Sequence, residues 1–292
     1  MSTRPRETTF SFPGGGARDE PIRSELVSAE RLEQIGETLA ADHRLARGFR
    51  RGRPLLARMR ENGRVLLQSY RAVAEAIREE RTISPAAEWL VDNFHIVEEQ
   101  LREIREDLPQ RYYWELPKLA AGQPRVYVLA VELVAHTDSA LDEETIVRFV
   151  RAFQKAAQLS IGEVWAVPIM LRLALVENLR RLAGHMLAVR RCRHEARRLI
   201  AEAQEHQDLP LDLSSWEECA PLVLELQQQL QEMGSDGAVR LKRLTRQLTD
   251  RQQSIDDIIR HQNQIQAVNQ VSIGNVITSM RLISALDWVS SS

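Results

Sequence analysis

The sequence predicts an all-α protein, a multi-helix bundle with a long carboxy-terminal helical hairpin, and three observations carry that prediction. Glycine (13) and proline (11) are scarce for 292 residues, so turns are few. Aromatic residues make up only 5% of the chain, which withholds side chains that favour strands. Apolar residues recur at three- and four-residue steps along most of the length.

Residues 1–24 read as a disordered leader around Gly14-Gly15-Gly16. From Ser28, a residue suited to cap, Leu32, Ile35 and Leu39 follow at helical spacing. After the basic stretch Arg44 to Arg53, a second amphipathic run carries Leu55, Met59, Leu66, Tyr70, Val73 and Ile77. Ser84 and Pro85 then form an N-cap and first-turn pair, opening a helix expected from Ala86 to about Leu108. Pro109 ends it, and Tyr112-Tyr113-Trp114 lie in a linker before Pro117. The run from Val126 to Thr137 fits a buried strand or a buried helix by pattern. Glu132 and the helical neighbourhood favour helix.

Asp142 or Glu143 opens the next helix, through Gln154. A longer one spans Gly162 to Gln204, with Pro168 in its first turns, where a missing N–H matters least. A helical domain is therefore expected over 25–206, and a helical hairpin packing on it over 207–292. In that last third Leu241, Leu244, Leu248, Ile255, Ile258, Ile265 and Val276 share a heptad-like register. Arg251, Gln262, Asn269 and Ser272 fill skipped positions, so a bundle helix is favoured over an isolated coiled coil. The Leu241–Val276 seam is also a candidate for homo-dimerisation.

The formal charge is −2, from 39 basic and 41 acidic residues, so no global field recruits nucleic acid or anionic lipid. Two cysteines, Cys192 and Cys219, are too few for a disulfide framework. No stretch of about 18 residues is free of charge, and the start lacks a signal-peptide core. The expectation from these features is a cytoplasmic chain that does not cross a membrane by itself.

Catalytic signatures are sparse. No Gly-x-Ser-x-Gly elbow, phosphate-binding glycine loop, dinucleotide fingerprint or His-Glu-x-x-His occurs. No two aspartates stand two apart, and no tryptophan follows an arginine, so two motifs of sugar-nucleotide transferases are missing. His185 and Cys192 share a helix face without further ligands nearby in sequence, so no metal is assigned. Glu98 and Glu99 beside Arg102 and Arg105 read as a solvated salt-bridge face. His136-Thr137-Asp138-Ser139 reads as a cap and turn, with a partner-contacting loop as the alternative. The Tyr112–Trp114 aromatics read as wedges between helices, with sugar stacking as the alternative.

Several blocks carry a resemblance. Pro85 to Gln100 (PAAEWLVDNFHIVEEQ), Leu108-Pro109, Tyr112, Glu115-Leu116-Pro117 and His136-Thr137-Asp138 follow one another in order. Ile161 to Pro168 (IGEVWAVP), Leu171-Arg172, Val176 to Arg181 (VENLRR), Asn269 to Asn275 (NQVSIGN), Thr278-Ser279, Arg281-Leu282 and Asp287-Trp288 continue the series. Together they resemble the amino-terminal cytoplasmic helical region of the bacterial cyclic β-1,2-glucan synthases, over most of residues 25–288.

The resemblance implies a membrane-embedded parent glycosyltransferase that uses UDP-glucose as donor, with a divalent metal expected. It implies the transferase and membrane modules of such a synthase as partners. No catalytic, cofactor or metal-binding residue carries over to this chain. The residues singled out as packing or docking elements are Trp89, Asn93, Glu98, His136, Asp138, Glu163, Trp165, Glu177, Asn178, Asn275 and Arg281. Glu163 suits the positive end of its helix, and Arg172 or Arg281 are the expected partners of Glu177 and Asn178. The reading is a non-catalytic scaffold, docking or regulatory module, or the truncated front part of a synthase. The alternative is a stand-alone helical interaction protein. An enzyme, or a self-glucosylated acceptor using Tyr112 or Tyr113, is a third.

Overall fold

A computed structural model describes residues 20–43, 45–46, 55–79, 83–205, 216–249 and 254–286. Among them lie eleven helices and no strand, so the chain is all-α. Most of the leader, the 207–215 loop, Asp287-Trp288 and all but two residues of the Arg44–Arg53 stretch fall outside these residues.

Local cap chemistry sets the early boundaries. Helix α1 (Ala29–Asp42) starts at Ser28, whose hydroxyl accepts from Arg31 N. Helix α2 (Leu55–Arg78) buries Leu55, Met59, Leu66 and Val73 of the expected apolar stripe, while Ile77 at its end is exposed. Helix α3 (Pro85–Asp92) has Ser84 as its cap and Pro85 in its first turn.

The single helix expected from Ala86 to Leu108 is two. Helix α3 stops and α4 (Phe94–Asp107) begins, with Asn93 between them at φ −109°, ψ 12°. The break has a side-chain cause. Asn93 Nδ2 donates to the Trp89 carbonyl at 2.8 Å, while its Oδ1 accepts from Arg281 Nη2 at 2.6 Å. The aromatic segment expected as a linker is instead a short helix, α5 (Gln110–Glu115), entered through Pro109.

The ambiguous run is helix α6 (Arg125–His136), whose Leu129, Ala130, Leu133 and Val134 are fully buried. Being apolar on nearly all sides, it suits a central position. Helix α7 (Glu143–Ala156) opens on the Asp142 cap and packs on α1. Helix α8 (Ile161–Glu205) carries Pro168 two turns in, so the proline removes a bond within the helix body rather than at its start. The last helices are α9 (Trp216–Glu232), α10 (Gly234–Thr249) and α11 (Ile255–Ala285), with α9 against α10. The apolar register running from Leu241 is thus shared between two helices. Its Leu244, Leu248, Ile258 and Val276 are buried within the chain.

By its contacts the chain forms two compact units. The larger comprises residues 21–183 and those from 269 onward; the smaller comprises 184–268 in the main. Both dividing points fall inside helices, α8 and α11. The smaller unit's core holds Cys192, Leu199, Val223, Leu226, Leu230, Leu244 and Leu248, with Cys192 acting as a small apolar filler.

Candidate functional site

Six candidate residues of the larger unit fall into three buried polar ties, Asn93 and Arg281 bond each other, and Trp89, Glu98 and Trp165 are exposed. The first tie surrounds the corner after α6. Asp138 and Ser139 adopt φ of 46° and 64°, a left-handed conformation that costs non-glycine residues free energy. Surrounding bonds hold them there. The Ser139 amide donates to the Val134 carbonyl at 2.9 Å. Asn275 Nδ2 donates to the Asp138 carbonyl at 3.1 Å, and Ser279 Oγ to the Ser139 carbonyl at 2.6 Å. Asn178 Nδ2 reaches Ser139 Oγ at 2.9 Å.

The same corner fastens the extended segment before α1. Arg23 lies 3.2 Å from Asp138 Oδ1 and donates to Ser272 Oγ at 2.6 Å and Asn269 Oδ1 at 3.3 Å. Ser272 in turn donates to Asp138 Oδ1 at 2.6 Å. The Ile22 amide donates to Asn178 Oδ1 at 2.6 Å. His136 Nδ1 sits 2.9 Å from the Glu25 carbonyl, which can only accept, so this nitrogen carries the proton. Four of the singled-out residues, His136, Asp138, Asn178 and Asn275, are therefore brought together. Of the polar gaps in the seam, Ser272 bonds Asp138 and Arg23, and Asn269 bonds Arg23.

The second tie centres on Glu177, whose side chain is 2% exposed. Arg58 Nε donates at 2.9 Å and its Nη2 also bonds, while Asn62 Nδ2 donates at 2.6 Å and Arg181 Nε at 2.8 Å. Arg180 Nη2 lies 3.5 Å away. Burial works to raise the carboxyl pKa. The hydrogen bonds from Arg58, Arg181 and Asn62 outweigh it and hold the group at about 2. Tyr127, buried and near Glu177, is pushed up to about 12. The expectation of Arg172 or Arg281 as partners of Glu177 and Asn178 is corrected here. Arg172 pairs with Glu103 and Asp107, and Arg281 with Asn93. Helical spacing places Arg181 one turn from Glu177, whereas Arg58 arrives from a helix 119 residues away in sequence.

The third tie joins α6 to the start of α8. Glu163 receives Arg125 Nε at 2.9 Å and Nη2 at 2.7 Å, a two-pronged pair with both side chains at most 6% exposed. Glu163 also accepts from Ser160 N at 2.9 Å, while Ser160 Oγ accepts from Glu163 N at 3.3 Å. That reciprocal arrangement is a capping box. A Ser three residues before a Glu was its available signal; nothing local pointed to Arg125.

Three further candidates are solvent-facing. Glu98 is exposed, as are Trp89 (45%) and Trp165 (71%), the latter beside Ile161 (79%). Among the tyrosines, Tyr113 is 2% exposed, and Tyr112 donates its hydroxyl to the Gly162 carbonyl at 2.5 Å. Both act as wedges. Lys118 Nζ caps this segment through the carbonyls of Tyr113, Trp114 and Leu116 at 2.9–3.0 Å.

Among the described residues no group of three or more His, Cys, Asp or Glu side chains converges as a metal-binding set. The buried carboxylates of Asp138, Glu163 and Glu177 are each taken up by arginine. The donor set does not fit a divalent cation. No described helix is long and apolar enough to cross a membrane.

Comparison with known proteins places this scaffold. No family model matches the chain. Cyclic β-(1,2)-glucan synthase NdvB of Rhizobium meliloti (strain 1021) is 36% identical over 290 aligned positions, which take in 92% of this chain. The chain is related to the cyclic β-(1,2)-glucan synthases. It spans about a tenth (10%) of the length of that relative. Nearly all of this helical chain thus has a counterpart in one limited stretch of the synthase.

Proposed function

We propose that the chain is a non-catalytic helical module of a cyclic β-(1,2)-glucan synthase, corresponding to its amino-terminal region. Its role is to dock against, order or regulate the transferase and membrane modules at the cytoplasmic face of the inner membrane. The observation that carries this reading is the reach of the similarity, which covers 92% of the chain and 10% of the synthase. The site chemistry agrees with it. The buried carboxylates of Asp138, Glu163 and Glu177 are bonded to arginines from other segments and so hold helices together, and the bonds to Glu177 keep its carboxyl well below the ordinary carboxylate range.

UDP-glucose and its metal belong, in this proposal, to the remainder of the synthase. No step of glucose transfer is assigned to residues of this chain. Incubation of the purified chain with UDP-glucose is the test. The expected outcome is no glucose transfer and no modification of Tyr112 or Tyr113; appreciable transfer by the chain alone overturns the reading.

A further inference from the structure

We propose that the larger unit carries a binding site for a β-linked glucan chain, built by α4, the first half of α8 and the end of α11. The inference rests on the glucan-synthase reading above and names a ligand for it. Its geometry starts at Arg172, whose side chain is 10% exposed. The guanidinium reaches the C-terminal half of α4, with Nε 3.0 Å from Glu103 Oε2 and Nη1 3.6 Å from Asp107 Oδ2. Glu103 lies off the N–H direction, so Arg172 Nε is a buried donor with no hydrogen bond.

A buried acceptor without a hydrogen bond lies in the same cluster. Gln100 is fully buried, and its Nε2 donates to Ser284 Oγ at 2.7 Å, which donates to Glu103 Oε2 at 3.2 Å. Gln100 Oε1 has no partner. Native interiors seldom leave such groups unmatched. A hydroxyl both donates and accepts, so its chemistry matches either kind of group.

Charge selects among ligands. Two carboxylates face one guanidinium, a set that repels phosphates and nucleoside diphosphates and suits a neutral polyhydroxyl compound. Glu103 and Asp107 are 25% and 50% exposed, so the cluster opens to solvent beside Asp107. Trp165 stands two turns before Arg172 on α8, on the same side of the helix and about 10 Å along its axis. Its indole is 71% exposed and offers an apolar face to the flat side of a pyranose ring. A single sugar cannot span from the indole to the polar cluster, whereas an oligosaccharide can.

Calorimetric titration of the full chain with linear β-(1,2)-glucan oligosaccharides tests the site. Saturable binding is expected, weakened about tenfold by Trp165→Ala and by Asp107→Ala, with circular dichroism unchanged because both side chains are well exposed. Absence of binding, or binding unaltered in both variants, overturns the site. The same preparations are mixed with a synthase lacking the corresponding segment. Association without glucan binding overturns the site and leaves the module reading standing; glucan binding without association supports the site and overturns the module reading.

Discussion

Glu177 concentrates the residue-scale energetics. Its carboxyl pKa, held at about 2 by Arg58, Arg181 and Asn62 against the opposing effect of burial, is depressed from an ordinary 4.5. A depressed pKa contributes stability that is fully present above the unfolded value and is lost as pH falls from 4.5 through about 2. The contribution at neutral pH is about 3 kcal/mol. Glu177→Gln should therefore lower unfolding free energy at pH 7 by about 3–4 kcal/mol, and should flatten the acid limb of a urea-denaturation series between pH 5 and 2. The Arg23–Asp138 contact is the second residue-scale test. Arg23→Ala and Asp138→Ala, combined in a double-mutant cycle, should show a coupling of about 1 kcal/mol. A coupling near zero would mean that the bonds from Ser272, Asn275, Ser279 and Asn178 hold the corner without Arg23.

At the scale of elements, boundaries set by neighbouring residues were legible and those set from afar were not. The caps at Ser28, Ser84 and Asp142 follow from a short polar side chain ahead of an apolar period, and all three accept the expected backbone N–H. The break at Asn93 is held by Arg281, 188 residues away, and no local pattern announces it. Ser160→Ala removes the reciprocal cap of α8 and should cost about 1 kcal/mol in thermal or chemical unfolding. The contact of α1 with α7 is tighter still. A Cβ at Gly36 would meet the Phe149 carbonyl oxygen at 3.2 Å and its ring at 3.3 Å. Gly36→Val should thus destabilise by about 2 kcal/mol and raise hydrogen exchange in α1 and α7 ahead of the other helices; unchanged protection there would contradict the packing argument.

For the whole molecule, the all-α class was readable because composition and 3.6-residue periodicity agree along nearly the whole chain. The partnerships of the candidate residues were not legible. The sequence analysis singled out Asp138, Glu163 and Glu177, while Arg23, Arg125 and Arg58 come from distant segments. With thirty-six arginines in the chain, identity alone cannot assign them. The polar residues interrupting the seam had a visible anomaly, and Asn269 and Ser272 turn out to receive Arg23. The central claim, that this chain is a helical module acting through the rest of a glucan synthase, is tested most directly by one binding measurement. The purified chain is titrated against a detergent-solubilised cyclic β-(1,2)-glucan synthase from which the matching segment has been deleted. The account predicts saturable one-to-one association. No association at micromolar concentrations of both proteins would contradict it.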